Sequence, residues 1–221
     1  MKVLNLYACL GGNRYKWDEV AEEAGIELQV TAVELDPELA KLYQERFPND
    51  TVIVADAHQY LLDHYQEYDF VWSSPPCPSH SKARFWAFGI TNKKPIYPDM
   101  KLYEEVLFLQ HHFKGMYCVE NVIPYYEPLI PAMKRSRHLY WANFALPSVL
   151  SSRSNSGNLN HVSVMQDLVD FHQYDFRKYK GRQRMLKIAR NLVDYEAGRT
   201  ILETALGIIR KKDITQTELF E

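Results

Sequence analysis

Val3-Leu4-Asn5-Leu6-Tyr7-Ala8-Cys9-Leu10-Gly11-Gly12 is an apolar run that stops at paired glycines, and a helical pattern follows from about Arg14 to Ala24. Strand, glycine turn and helix in that order open a nucleotide-binding unit. Glycines let the backbone approach a ligand closely, and the helix N-terminus offers free N–H groups. The same grammar repeats outward from this stretch. Leu28–Val33 reads as a second strand and ends in Glu34-Leu35-Asp36-Pro37, ahead of a helix from Glu38 to Phe47. Glu34 falls about twenty residues past the glycine turn, the interval at which such folds set an acid on ribose hydroxyls. Asp36 followed by Pro37 is an N-cap with proline at the first helical position. Thr51–Ala55 is a third strand, and Asp56 at its end can accept from a purine amine or cap the next helix. The pattern predicts an α/β fold, a Rossmann-like sheet with helices on both faces, holding an adenosine-containing cofactor at one sheet edge.

A fourth strand, Tyr68–Trp72, runs into Ser73-Ser74-Pro75-Pro76-Cys77-Pro78-Ser79-His80-Ser81. Each proline fixes its own φ and pushes its predecessor away from helix, so Cys77 sits on a rigid turn at a strand end. Cys77 is there either as a nucleophile or as a small packing residue. Residues 78–98 read as a long connection carrying Lys82, Arg84, Phe85, Trp86, Phe88, Lys93 and Lys94, a mixture that suits a lid over nucleic acid. A helix from about Asp99 to Phe113 leads to a fifth strand, Met116–Val119, ending in Glu120-Asn121-Val122. Glu120 can therefore face Cys77 across one cleft. Residues 124–134 read as a proline-bounded helix, and Leu139–Phe144 as a sixth strand preceded by Arg135 and Arg137.

Among 221 residues, 46% are hydrophobic, enough for a real core. The net charge of -2 conceals an asymmetry: residues 1–132 carry 11 basic and 19 acidic side chains, residues 133–212 carry 15 and 6. An acidic first part with a basic last part suggests a small-molecule site in the former and phosphate contacts in the latter, Arg182, Arg184 and Lys187 included. Composition divides the chain into a catalytic and cofactor-binding domain at 1–145, a Ser- and Asn-rich segment at 146–181, and a basic helical segment at 182–221 that packs back as a small C-terminal appendage. In that last segment Arg182–Leu192 and Glu196–Ile209 are helical and the Thr-Gln-Thr-Glu end is frayed. Cys9, Cys77 and Cys118 lack disulfide or zinc spacing, so reduced thiols and no metal are expected. No leader and no membrane-length apolar run are evident, which predicts a cytoplasmic protein with no membrane partner.

Taken as an ordered set, these motifs resemble the DNA cytosine-5 methyltransferase family. Tyr7-Ala8-Cys9-Leu10-Gly11-Gly12 resembles its cofactor-binding Phe-x-Gly-x-Gly segment, with Cys9 in place of the first glycine. Glu34, followed by Leu35, resembles the acid on the ribose, and Asp56 the acid on the adenine amine. Pro75-Pro76-Cys77 with Ser81 resembles the nucleophile loop, although Pro78 and His80 stand where the family has Gln and Phe. Leu102 and Tyr103 fall where the family touches its cofactor, Glu120-Asn121-Val122 is similar to its Glu-Asn-Val, and Arg135 or Arg137 to its catalytic arginine. Asn191-Leu192-Val193 resembles a degenerate last motif.

The resemblance implies S-adenosyl-L-methionine as cofactor, double-stranded DNA with a flipped cytosine as substrate, and cofactor contacts from Tyr7, Cys9, Gly11, Gly12, Glu34, Leu35, Asp56, Pro75, Leu102 and Asn191. Cys77, Glu120, Arg137 and Arg135 would do the chemistry. Segment 146–181 corresponds to a much reduced target-recognition region, which leaves a homodimer or a partner protein open as the source of recognition. An RNA cytosine-5 enzyme, an amino-methyltransferase suggested by Ser74-Pro75-Pro76, and a catalytically degenerate nucleic-acid binder remain alternatives.

Overall fold

The computed structural model describes residues 1–91, 94–151 and 163–208. Seven strands form one sheet: β1 (Lys2–Leu6), β2 (Gln29–Glu34), β3 (Thr51–Val54), β4 (Phe70–Ser73), β5 (Met116–Val122), β6 (Met133–Arg135) and β7 (His138–Ala142). They run in the order β3-β2-β1-β4-β5-β7-β6. β1 to β5 are mutually parallel, whereas β7 is antiparallel to β5 and β6 to β7. β1 pairs with both β2 and β4, so the winding reverses there. A crevice opens at such a reversal, outside the carboxyl ends of the strands.

Both faces are covered, because the central strands are apolar on both sides and must be buried on both. α3 (Ala57–His64) and α5 (Lys101–His112) pack one face, with Leu61, Leu102, Val106 and Leu109 against Leu4, Leu6 and Val71. α1 (Trp17–Ala24) and the C-terminal α8 (Tyr195–Ala205) cover the other, with Trp17, Ile201 and Leu202 against Val3, Phe70 and Trp72. α2 (Pro37–Arg46) joins that second face through Tyr43 and the adjoining Phe47, packed on Ala32. α6 (Ser163–His172) and α7 (Met185–Asn191) form a smaller layer in which Leu168, Phe176, Tyr179 and Ile188 pack on Leu10, Leu39 and Leu42. Residues on both sides of position 181 thus share one apolar cluster, closing over the glycine turn.

Three expectations are corrected. Residues 78–98 are not wholly a loop: α4 (Lys82–Thr91) follows the nucleophile turn, and Ser81 starts it by accepting from the Ala83 N–H at 3.2 Å. Residues 124–134 form no helix, since Pro124, Pro128 and Pro131 remove backbone donors, and their end supplies the edge strand β6, so the sheet has seven strands rather than six. β5 continues through Val122, which places Glu120 and Asn121 within the strand, opposite Tyr140 and Leu139 of β7. The frayed Thr-Gln-Thr-Glu end and most of the Ser- and Asn-rich stretch lie outside the described residues. Among those described, no helix is long and apolar enough to cross a membrane.

Candidate active site

A cavity of ≈ 890 Å³ occupies the crevice. Its walls include Tyr7, Cys9, Gly12, Glu34, Leu35, Asp56, Pro75, Cys77, Glu120, Arg135, Arg137 and Asn191, so twelve of the fourteen residues singled out from the sequence meet in one place. The other two do not line it. Gly11, with φ +66, is needed for packing: a Cβ there would lie 2.4 Å from the Phe47 ring. Leu102 is core, buried among Leu4, Leu6 and Val71. Gly12 makes room for protein as much as for any ligand, since its Cβ would stand 2.2 Å from the Val193 carbonyl.

At the β1–β2 end the site is built on two carboxylates, the half-buried Glu34 and the buried Glu105. Glu34 accepts from the Cys9 N–H at 2.8 Å and from the Asp36 N–H at 2.9 Å, which fixes both turns around it. Burial raises its pKa, partly opposed by those same N–H groups. Beside it, Leu35 is 68% exposed, an apolar shelf at the cavity wall. Tyr7 and Cys9 adopt φ +56 and +49, the left-handed region that non-glycine residues avoid, so neighbours must hold them there. For Tyr7 the holder is Glu105, 1% exposed on α5. Glu105 accepts from the Tyr7 hydroxyl at 2.5 Å and the Ser73 hydroxyl at 2.6 Å, and contacts His58 Nδ1 at 3.0 Å. One carboxylate thus links the ends of β1 and β4 to the start of α3. Burial beside Glu34 pushes the Cys9 thiol up to about 12, which removes it as a nucleophile. Asp56 caps α3 through the Gln59 N–H at 3.1 Å and also faces the cavity, 3.5 Å from Lys101 Nζ. The Gln59 N–H, with Lys101, holds its carboxyl below the ordinary value.

At the β4–β5 end, Asn121 of β5 donates its side-chain amide to the Pro75 carbonyl at 2.9 Å, so the Glu-Asn-Val strand grips the Pro-Pro-Cys turn directly. The turn closes through the His80 and Ser81 N–H groups, both 3.0 Å from the Cys77 carbonyl. Burial, then the neighbouring Glu120, raises the Cys77 thiol above its usual pKa. Glu120 is buried, 3.4 Å from His138 Nε2. The two arginines separate in role. Arg135 is spent on backbone carbonyls, donating to Leu146 at 2.6 Å, Pro147 at 2.5 Å and Lys134 at 2.9 Å. Arg137 sits at the tip of the two-residue β6–β7 turn beside Ser136 (φ +51), exposed, facing the cavity.

The glycine turn lies in the N-terminal part of the chain, and the comparisons fall there. Residues 1–94, which contain Tyr7, Glu34, Asp56 and Cys77, match the family model described as C-5 cytosine-specific DNA methylase. Over this stretch the chain is similar to the cytosine-5 methyltransferase family. The methyltransferase EhMeth of Entamoeba histolytica shares the fold at a TM-score of 0.57 and 9% identity, over 96% of this chain and 99% of that one. A mutant DNMT2 of Spodoptera frugiperda is 21% identical over 55% of this chain and 35% of its own, at a TM-score of 0.37. No curated protein matches the chain significantly.

The family match ends before Glu120, and two further groups stand on the cavity wall that local sequence does not assign to it. His138 reaches Glu120 only because β7 runs antiparallel to β5, a register that no local pattern encodes. Lys187 of α7, read from the sequence as part of a basic face, lines the same cavity and its charge lowers the Cys77 thiol pKa, the smallest of the effects on it. Arg46 ties this second layer to the methyltransferase sheet. It donates to the Leu10 carbonyl at 2.8 Å and the His172 carbonyl at 2.7 Å while its guanidinium lies 4.7 Å from the Tyr15 ring centre. Asp36 adds a second tie, accepting from the Tyr179 hydroxyl at 2.8 Å and Gln183 Nε2 at 3.1 Å.

Proposed function

We propose that the protein is an S-adenosyl-L-methionine-dependent DNA cytosine-5 methyltransferase with Cys77 as its nucleophile. The observation that carries this reading is the single cavity that Cys77, Glu120 and Arg137 share with Glu34, Leu35 and Asp56. The donor set suits the cofactor: a half-buried carboxylate for a ribose diol, an exposed leucine against a purine face, and an acid at the far wall for an exocyclic amine. When bound there, S-adenosyl-L-methionine supplies an electrophilic methyl group on a sulfonium sulfur.

Carbon 5 of cytosine is too weak a nucleophile to take that methyl unaided. The Cys77 thiolate therefore adds to carbon 6, forming a C–S bond while the ring electrons shift toward N3 and carbon 5. Glu120, held in a buried position beside Cys77, donates a proton or hydrogen bond at N3. Arg137 binds the O2 edge and stabilises the charge that develops there, a task Arg135 leaves to it by holding the chain at Leu146 and Pro147. After methylation a base takes the carbon 5 proton, and the freed electron pair restores the double bond and expels the Cys77 thiolate. His138 holds the Glu120 carboxyl from the neighbouring strand. Because none of this can occur inside a base stack, the target base must be extruded into the crevice.

Incubation with S-adenosyl-L-methionine and unmethylated DNA, followed by digestion and mass spectrometry, should reveal 5-methylcytosine. N4-methylcytosine, N6-methyladenine, or no product from DNA would refute the reading.

A further inference from the structure

Between Asp69 and Asp99 the sequence contains no acidic residue, yet it holds Lys82, Arg84, Lys93 and Lys94. Part of that stretch is α4, which begins five residues after Cys77. Two of its aromatic side chains stand in solvent. Trp86 is 67% exposed and Phe85 is 53% exposed. Phe85 lies parallel to Tyr125, with ring centres 4.8 Å apart and planes 10° apart, a face-to-face pair open to solvent on one side. Tyr97, at the far end of the same connection, is 94% exposed.

These rings are fixed to the nucleophile turn. The Tyr125 N–H donates to the His80 carbonyl at 3.1 Å, Ser81 forms a bridge to Pro124, and the buried His80 ring contacts the Tyr126 hydroxyl at 2.5 Å. His80, which departs from the family's Phe, thus anchors the platform on which Phe85 and Tyr125 stack. Leaving tryptophan and paired aromatics in water beside Lys82 and Arg84 costs apolar burial that a folded chain ordinarily recovers. The chemistry that such a surface matches is an unstacked base face flanked by phosphates. A duplex hides base faces within its stack and presents only edges in its grooves.

We propose that Trp86 and the Phe85–Tyr125 pair form a stacking platform for single-stranded DNA beside the target cytosine, so that the enzyme takes its base from a strand already unpaired. The proposal rests on the DNA-methylation reading and names its substrate form. Phosphates of that strand meet Lys82 and Arg84, and the flanking bases lie on the rings, which shortens the path by which the target reaches Cys77.

The protein carries its own probe. Trp17, Trp72 and Trp141 are all buried, leaving Trp86 as the tryptophan that iodide can reach. Titrating the full-length protein with a cytosine-containing single-stranded oligodeoxynucleotide should shield Trp86 from iodide. The duplex of the same sequence should need at least roughly tenfold more to do so, the loss expected when base stacking is unavailable. By fluorescence anisotropy, Trp86→Ala and Phe85→Ala should each weaken single-strand binding about tenfold, with the melting temperature unchanged. Stronger protection by the duplex, protection by RNA alone, or no protection by any nucleic acid would overturn the platform. Methylation of duplex DNA with Trp86 still open to iodide would refute the platform while leaving the methylation reading intact. Shielding by single-stranded DNA without 5-methylcytosine would do the reverse.

Discussion

The two ends of the crevice are built differently. At the β1–β2 end, Glu105 fastens Tyr7 and Ser73, Glu34 fastens the Cys9 and Asp36 N–H groups, and beneath them Arg14 bridges Asp50 at 2.9 Å with both groups buried. At the β4–β5 end no carboxylate fastens the nucleophile turn: the Asn121 amide holds Pro75, residues 124–126 hold His80 and Ser81, and beyond them the aromatic surface stands in water. On the proposed function, the contrast follows from what each end would receive. A cofactor of fixed shape rewards a preorganised pocket whose strain is held elsewhere in the fold. A base drawn out of a nucleic acid needs an entrance, and an entrance cannot be sealed by buried hydrogen bonds.

The largest expected effect is at Glu105. Glu105→Ala strands the Tyr7 and Ser73 hydroxyls and frees a residue held at positive φ, so unfolding by urea should show about 3 kcal/mol of lost stability, together with weaker cofactor binding. Gly12→Ala forces a methyl group against the Val193 carbonyl and should cost about 2 kcal/mol by the same measurement. Asn121→Ala should lower kcat roughly tenfold with little change in melting temperature, because it loosens the position of Cys77 rather than the core. An Asn121→Ala variant as unstable as Glu105→Ala would erase the difference between the two ends. The smallest effect is electrostatic. Since burial and the Glu120 charge both raise the Cys77 thiol, Glu120→Gln should shift the pH at which Cys77 becomes alkylated by iodoacetamide downward. An unchanged or upward shift would mean that Glu120 does not act on the thiol.

Much of this was legible in the sequence because it is local. Gly11, Glu34, Asp36 and Asp56 each stand at a strand end for a reason that spacing and capping chemistry encode, and Asp36 does accept from the Glu38 N–H at 3.0 Å. The rest depends on contacts between distant segments. Glu105 lies 98 residues from Tyr7, and nothing in Leu102-Tyr103-Glu104-Glu105 marks the last as the buried one. The same holds for His138 on Glu120 and for the division of labour between Arg135 and Arg137, which depends on where residues 146 and 147 pass. α4 is not evident in the sequence because Lys82–Thr91 lacks a clean apolar stripe: Phe85 and Trp86 are exposed. The proline-bounded helix expected over 124–134 does not form, because three prolines remove backbone donors along it.

The central claim is that the Cys77 thiol bonds to carbon 6 of a cytosine. A DNA oligonucleotide carrying 5-fluorocytosine, incubated with the protein and S-adenosyl-L-methionine, should yield a covalent adduct stable to denaturation, because fluorine blocks the final loss from carbon 5. Peptide mapping should place the adduct on Cys77, and Cys77→Ser should form none. An adduct on Cys9 or Cys118, or 5-methylcytosine produced by Cys77→Ser at the wild-type rate, would contradict the account.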